Sequence, residues 1–199
     1  MIASLLAWLI RLFAGLRVLR ISSSEKEKLI FIARHQSHFD TLAIWASLPP
    51  RHRKKIRPVA ALDYWGKTKV HHWFSTKVLN AILISRKGRS AEHRHPLDPL
   101  REALEAGSHL LVFPEGTRRS DSEVGPLKPG IHHLMKMVPE ARCLPVRLDN
   151  LSRVLPKGEA LPLPLIARIE AGEAIALSPD ESKEEFLQRC QAAISLPQE

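Results

Sequence analysis

Leu29-Ile30-Phe31-Ile32-Ala33-Arg34-His35-Gln36-Ser37-His38-Phe39-Asp40 is a strand running into a polar turn, and the rest of the chain falls into place around it. Five apolar residues without polar alternation, Leu29-Ala33, read as a strand covered on both faces. Pro58-Leu62, Ala81-Ile84, Leu110-Phe113, Cys143-Leu148 and a stretch near Leu165-Glu170 read the same way. Between them lie helical candidates at Thr41-Leu48, Trp65-Leu79, Leu97-Ala106 closed by Gly107 in the C-cap role, and from Pro129-Gly130 through Val138. Strand and helix alternate, so the fold class is α/β: a single domain with a mostly parallel central sheet flanked by helices. A last helix has Ser178 as N-cap, Pro179 at its first position and Glu181 completing a capping box. Its Phe186, Leu187 and Ile194 are left to pack on the sheet.

Two segments carry chemistry. His35 has the carboxylate of Asp40 five residues on, and about 80 residues later Phe113-Pro114-Glu115-Gly116-Thr117-Arg118-Arg119-Ser120 follows another apolar run. An imidazole with an ordinary pKa near 6.5 suits proton abstraction at neutral pH. Arg118 offers a planar fork of donors for phosphate oxygens, and Gly116 allows close backbone approach. Loops at strand ends form the ligand crevices of open α/β sheets. A proton acceptor and an anion grip together point to an enzyme acting on a phosphate-bearing hydroxyl compound. Residues five apart on a continuous helix sit about 140° around its axis, so His35 and Asp40 meet only where a tight turn bends the chain. His38 is the rival base in the same motif, and Ser37 reads as a helix cap in preference to a nucleophile.

The chain has 199 residues and a formal net charge of +9, with a pI of about 9.9. That length fits one domain, which buries roughly 70% of the surface its unfolded chain exposes. The charge favours anionic partners: lipid headgroups, coenzyme A, acidic carrier protein or nucleic acid. Cys143 and Cys190 lie far apart in sequence and suggest neither a disulfide framework nor a zinc site. His71-His72 and His132-His133 are adjacent pairs that do not face each other on a helix, so no metal is expected. Arg51-His52-Arg53-Lys54-Lys55-Ile56-Arg57 reads equally as a membrane- or nucleic-acid-facing patch and as a solvated loop. Met1-Ile10 is uncharged and apolar, but ten residues rise only about 15 Å as a helix, half a hydrocarbon core. Residues 1–20 are therefore expected to form a membrane-associating interfacial helix, with Trp8 and Phe13 at the headgroup boundary and Arg11, Arg17 and Arg20 reaching phosphates. The alternative is a helix packed on the core. Residues 21–199 form the catalytic domain.

The His35–Asp40 and Phe113–Arg118 segments, in this order, resemble the glycerolipid acyltransferase family, whose lysophosphatidate-type members make phosphatidate. Leu83-Ile84-Ser85-Arg86 resembles the family's second motif and Leu144-Pro145-Val146 its fourth, so the resemblance runs from about Leu29 to Ile175. It implies His35 as general base, with Asp40 fixing the ring tautomer, and direct transfer without an acyl-enzyme. It implies Glu115, Gly116, Thr117 and Arg118 as the acceptor site and Arg86 as a second phosphate ligand. An Asp often stands in the family where Ser85 is, and some members carry Lys at the position of Asn80; the Asn80 amide or a backbone N–H is left to supply the oxyanion donor. The activity implied is transfer of a fatty acyl group from an acyl thioester, acyl-CoA or acyl-carrier protein, to the free hydroxyl of lysophosphatidate. Glycerol 3-phosphate, another lysophospholipid or an amino-acid lipid are alternative acceptors. No bound cofactor is implied, and the partners are the two substrates and an anionic membrane surface at the cytoplasmic face, held peripherally or monotopically. A basic nucleic-acid-binding module is the remote alternative, and the scattered aromatics give it no stacking signature.

Overall fold

Alternate residues of the first strand, β1 (Lys28–Ala33), serve two separate cores. Leu29, Phe31 and Ala33 enter one cluster and Ile30 and Ile32 the other, all of them fully buried. The computed structural model describes residues 2–22, 26–37, 39–65, 68–84, 95–118, 124–149 and 167–195. The remaining strands are β2 (Ile56–Ala61), β3 (Ile82–Ile84), β4 (His109–Val112), β5 (Ala141–Asp149) and β6 (Arg168–Ala171). They form a six-stranded sheet in the order β3-β2-β4-β1-β5-β6, parallel except for β6 at the edge. Helices α1 (Ile2–Phe13) and α2 (Asp40–Ser47) lie over one face. Helices α6 (Asp98–Glu105), α7 (Gly130–Met137) and α8 (Lys183–Ser195) cover the other. The expected α/β architecture is the one observed.

Local departures have local causes. The charged run at 51–57 is helix α3 (Pro50–Lys55) feeding directly into β2, which therefore starts two residues before the expected Pro58. Pro58 fits inside β2 because pairing changes sides there: residues 56–58 face β4 and 59–61 face β3. The expected helix Trp65-Leu79 is instead α4 (Leu62–Trp65), then α5 (Lys69–Trp73) continuing into a π-helical turn, Phe74–Val78. The last helix starts four residues late. Ser182 and Glu185 form its capping box, with each backbone N–H bonded to the other's side chain at 2.9 and 3.2 Å. Ser178 and Glu181 close only a turn, which Arg189 holds through two contacts of 2.6 and 2.7 Å. Gly107, at φ +81°, ends α6 as expected. Cys143 and Cys190, remote in sequence, meet in the core as free thiols, and their contact and burial push the Cys143 thiol well up.

Helix α1 has two apolar faces. Ala7 and Ile10 are buried in the cluster shared with α2, followed by Ala14, Leu16 and Leu19. The Leu19 N–H bonds Ser47 O at 2.7 Å, and the Ala167 N–H bonds Ala14 O at 3.2 Å. Leu5, Trp8, Leu9, Leu12 and Phe13 stay exposed on the opposite face. No described helix is long and apolar enough to cross a membrane.

His52 of α3 and His109 of β4 are both fully buried, with Nδ1 of the first 3.4 Å from Nε2 of the second. Burial, the neighbouring His52 and the Lys55 charge push His109 down to about 4. Unfolded, that imidazole takes its proton near 6.5. The associated stability is therefore complete above pH 6.5 and is lost as pH falls towards 4, on the order of 3 kcal/mol in all. Melting curves across that window should show this slope, and His109→Gln should flatten it; an unchanged slope would assign the acid lability to other groups.

Candidate active site

β1 and β4 run side by side in parallel with Ile32 opposite Val112, so His35 and Glu115, each three residues further on, leave the sheet at the same edge. Beyond that edge the chain diverges, through α2 towards β2 on one side and through α7 towards β5 on the other. Such a divergence opens a crevice at the carboxyl ends of parallel strands.

The His35 Nδ1 lies 3.0 Å from Asp40 Oδ2. The same oxygen accepts the N–H groups of Gln36 and Ser37, each at 2.7 Å. Asp40 is fully buried as the first residue of α2, so the turn, the helix start and the ring position are one arrangement. This is the tight turn the five-residue spacing requires. Donation by Nδ1–H to the carboxylate leaves the Nε2 lone pair free to accept a proton. The ring stacks on Phe113 at 4.2 Å and keeps about a fifth of its side-chain surface exposed. Ser37 caps the turn, its hydroxyl accepting the Phe39 N–H at 3.1 Å. His38, the rival base, lies outside the described residues.

The second loop braces the first. Glu115 is buried, with Oε1 accepting the His35 N–H at 3.0 Å and Oε2 the Gly125 N–H at 3.3 Å. Both oxygens serve backbone donors, so Glu115 clamps the two loops together. Gly116 adopts φ +70°, and Thr117 and Arg118 follow it, exposed at the cavity mouth.

The cavity has a volume of about 520 Å³. His35, Thr41, Ser75, Thr117, Arg118 and Lys128 make its polar part; Val59, Ala60, Ile84, Leu100, Ile131 and Leu134, from β2, β3, α6 and α7, belong to an apolar wall with Ala81 just before β3. Ser85 and Arg86, the residues just after β3, lie outside the described residues. Asn80 is exposed at φ +53°, its backbone carbonyl accepts the Arg57 Nε–H at 3.2 Å, and it is not among the residues lining the cavity. Leu144-Pro145-Val146 lies within β5, paired to β1, and supports the sheet. Thr41 and Lys128 were not singled out from the sequence, although each adjoins a signal: Thr41 follows Asp40, and Lys128 precedes the Pro129-Gly130 helix start.

A parallel α/β sheet with a histidine–carboxylate pair at a strand-end cavity defines an enzyme site for proton transfer. The acyltransferase family model matches residues 16–149, and the chain belongs to this family. Its activity is that of an acyltransferase. Among solved structures the chain is similar to the 1-acyl-sn-glycerophosphate (LPA) acyltransferase PlsC from Thermotoga maritima, with a TM-score of 0.72. The two are 20% identical over 97% of this chain and 75% of that one, a likeness of fold. No curated protein sequence matches the chain.

Glu115→Gln tests the clamp. It sets an amide N–H₂ against a backbone N–H, at a cost of roughly 1–3 kcal/mol. The variant should melt several degrees below wild type. An unchanged melting temperature with weakened acceptor use would return Glu115 to the substrate.

Proposed function

We propose that the protein transfers a fatty acyl group from an acyl thioester, acyl-CoA or acyl-carrier protein, to the free hydroxyl of lysophosphatidate, giving phosphatidate. The observation that carries this reading is a single cavity joining the His35–Asp40 pair, the Arg118 cation and an apolar wall. Lysophosphatidate offers the matching parts: a hydroxyl, a phosphate and a hydrocarbon chain. The LPA acyltransferase with the similar fold adds support by analogy.

His35 Nε2 takes the hydroxyl proton as the oxygen attacks the thioester carbonyl. The new C–O bond forms, the C–S bond breaks, and the proton passes from the imidazolium to the departing sulfur, giving a free thiol. Asp40 holds the tautomer and stabilises the imidazolium while it exists. Arg118 pairs with the acceptor phosphate, and the apolar wall takes hydrocarbon.

The outer face of α1 meets an anionic membrane in this reading. A 12-residue helix is about 18 Å long and lies in the interface plane with Trp8 and Phe13 inserted. Arg11 is close enough to lower the pKa of Arg53, after the larger effect of burial, and Arg51 and Lys54 are exposed on the same helix as Arg53.

His35→Ala should cut acceptor-dependent thiol release at least about a hundredfold with a melting temperature near wild type, and Asp40→Asn should lose most activity. More than a tenth of wild-type rate in His35→Ala would end its role as base. Trp8→Glu combined with Leu12→Glu should abolish co-sedimentation with vesicles containing anionic lipid. Circular dichroism should not change, because both side chains are exposed. Unaltered co-sedimentation would remove α1 from the membrane contact.

A further inference from the structure

Lys128 lies on the segment between the second loop and α7, and its backbone N–H bonds Pro114 O at 2.8 Å, tying it to the start of the Pro114–Arg118 turn. Its side chain crosses directly over Gly116. A Cβ at that position would meet Lys128 Cε and Nζ at 2.6 Å and Cδ at 2.8 Å. The missing side chain of Gly116 is what lets the ammonium settle on the loop that carries Arg118. Gly116 therefore has two reasons to be glycine, its φ of +70° and the lysine lying on it.

No carboxylate among the described residues answers this cation. Of the loop's acidic residues, Asp121 and Glu123 lie outside the described residues, and Glu115 has both oxygens bonded to backbone N–H groups. The Lys128 side chain lines the same cavity as His35 and Arg118. A lysine that lines a cavity beside Arg118 and has no carboxylate partner among the described residues can receive an anion from the substrate.

We propose that Lys128 is a ligand of the acceptor's phosphate, acting beside Arg118 and determining the preference for phosphate-bearing acceptors. This rests on the acceptor reading given above. Lys brings a point charge on a flexible stem where Arg118 brings a planar fork, so the two are suited to different oxygens of one phosphate.

Lys128→Met keeps the aliphatic stem over Gly116 and removes only the charge; Lys128→Gln provides a second neutral variant. The full-length protein in detergent is assayed with lysophosphatidate and with its dephosphorylated counterpart, monoacylglycerol. Donor KM is measured with acyl-CoA and with an acyl-N-acetylcysteamine thioester, which lacks phosphates. Both variants should raise KM for lysophosphatidate about tenfold with a much smaller change in kcat, and the lysophosphatidate-to-monoacylglycerol ratio of kcat/KM should fall by the same factor. KM for acyl-CoA should hold. Equal proportional losses on the two acceptors, unchanged constants, or a loss confined to acyl-CoA would each overturn the assignment. If wild type prefers the phosphate-bearing acceptor and both variants keep that preference, Lys128 alone is refuted. If wild type shows no such preference, the acceptor reading falls and Lys128 falls with it.

Discussion

One carboxylate oxygen organises this molecule's chemistry. Asp40 Oδ2 receives the His35 ring and two successive backbone N–H groups, at 3.0, 2.7 and 2.7 Å. A buried carboxylate is costly unless donors surround it, and here the donors come from the turn that it closes. The same contacts that make the burial tolerable fix the exit of β1, the first residue of α2 and the orientation of the imidazole. Loss of the carboxylate would loosen all three at once.

The sheet supplies the second constraint. Because β1 and β4 are parallel neighbours in a register that pairs Ile32 with Val112, segments 80 residues apart meet at one edge, where Glu115 bonds the His35 backbone. The loop bearing Arg118 and the loop bearing His35 are therefore a single braced unit. Preorganisation of this kind holds His35 and Arg118 around one cavity.

Most of this was legible in the chain, and the exceptions have physical reasons. Uninterrupted apolar runs marked the strands because a parallel sheet is buried on both faces, as Leu29-Ala33 is. His35, Asp40 and the Glu115–Arg118 loop were legible because their types and spacings are chemically restrictive. The π-helical turn at Phe74–Val78 was not, since a helical periodicity does not reveal where its hydrogen bonds lengthen. The helix at Pro50–Lys55 was hidden behind its charges, which report solvent exposure and leave the backbone undecided. Two consecutive Ser-x-x-Glu patterns, Ser178–Glu181 and Ser182–Glu185, stand at the start of α8; only the second closes reciprocally, while the carboxylate of the first is held by Arg189. Glu115 entered as a substrate ligand through the family resemblance; its bonds to two backbone donors from separate segments depend on packing that the sequence of the loop does not record. The His52–His109 contact and the position of Lys128 over Gly116 depend on tertiary packing that no local pattern records.

Helix α1 packs on the core through Ala7 and Ile10 and leaves Trp8 and Leu12 exposed on its other face. What the reaction needs most, however, is a ring nitrogen free to take a proton in the cavity. The 15N resonances of the His35 imidazole, recorded at a pH where the ring is neutral, report this directly. The result expected is a proton on Nδ1, shared with Asp40, and an unprotonated Nε2. A proton resident on Nε2 with a bare Nδ1 would contradict the proposed role of His35, because that ring could not accept the hydroxyl proton of an acceptor.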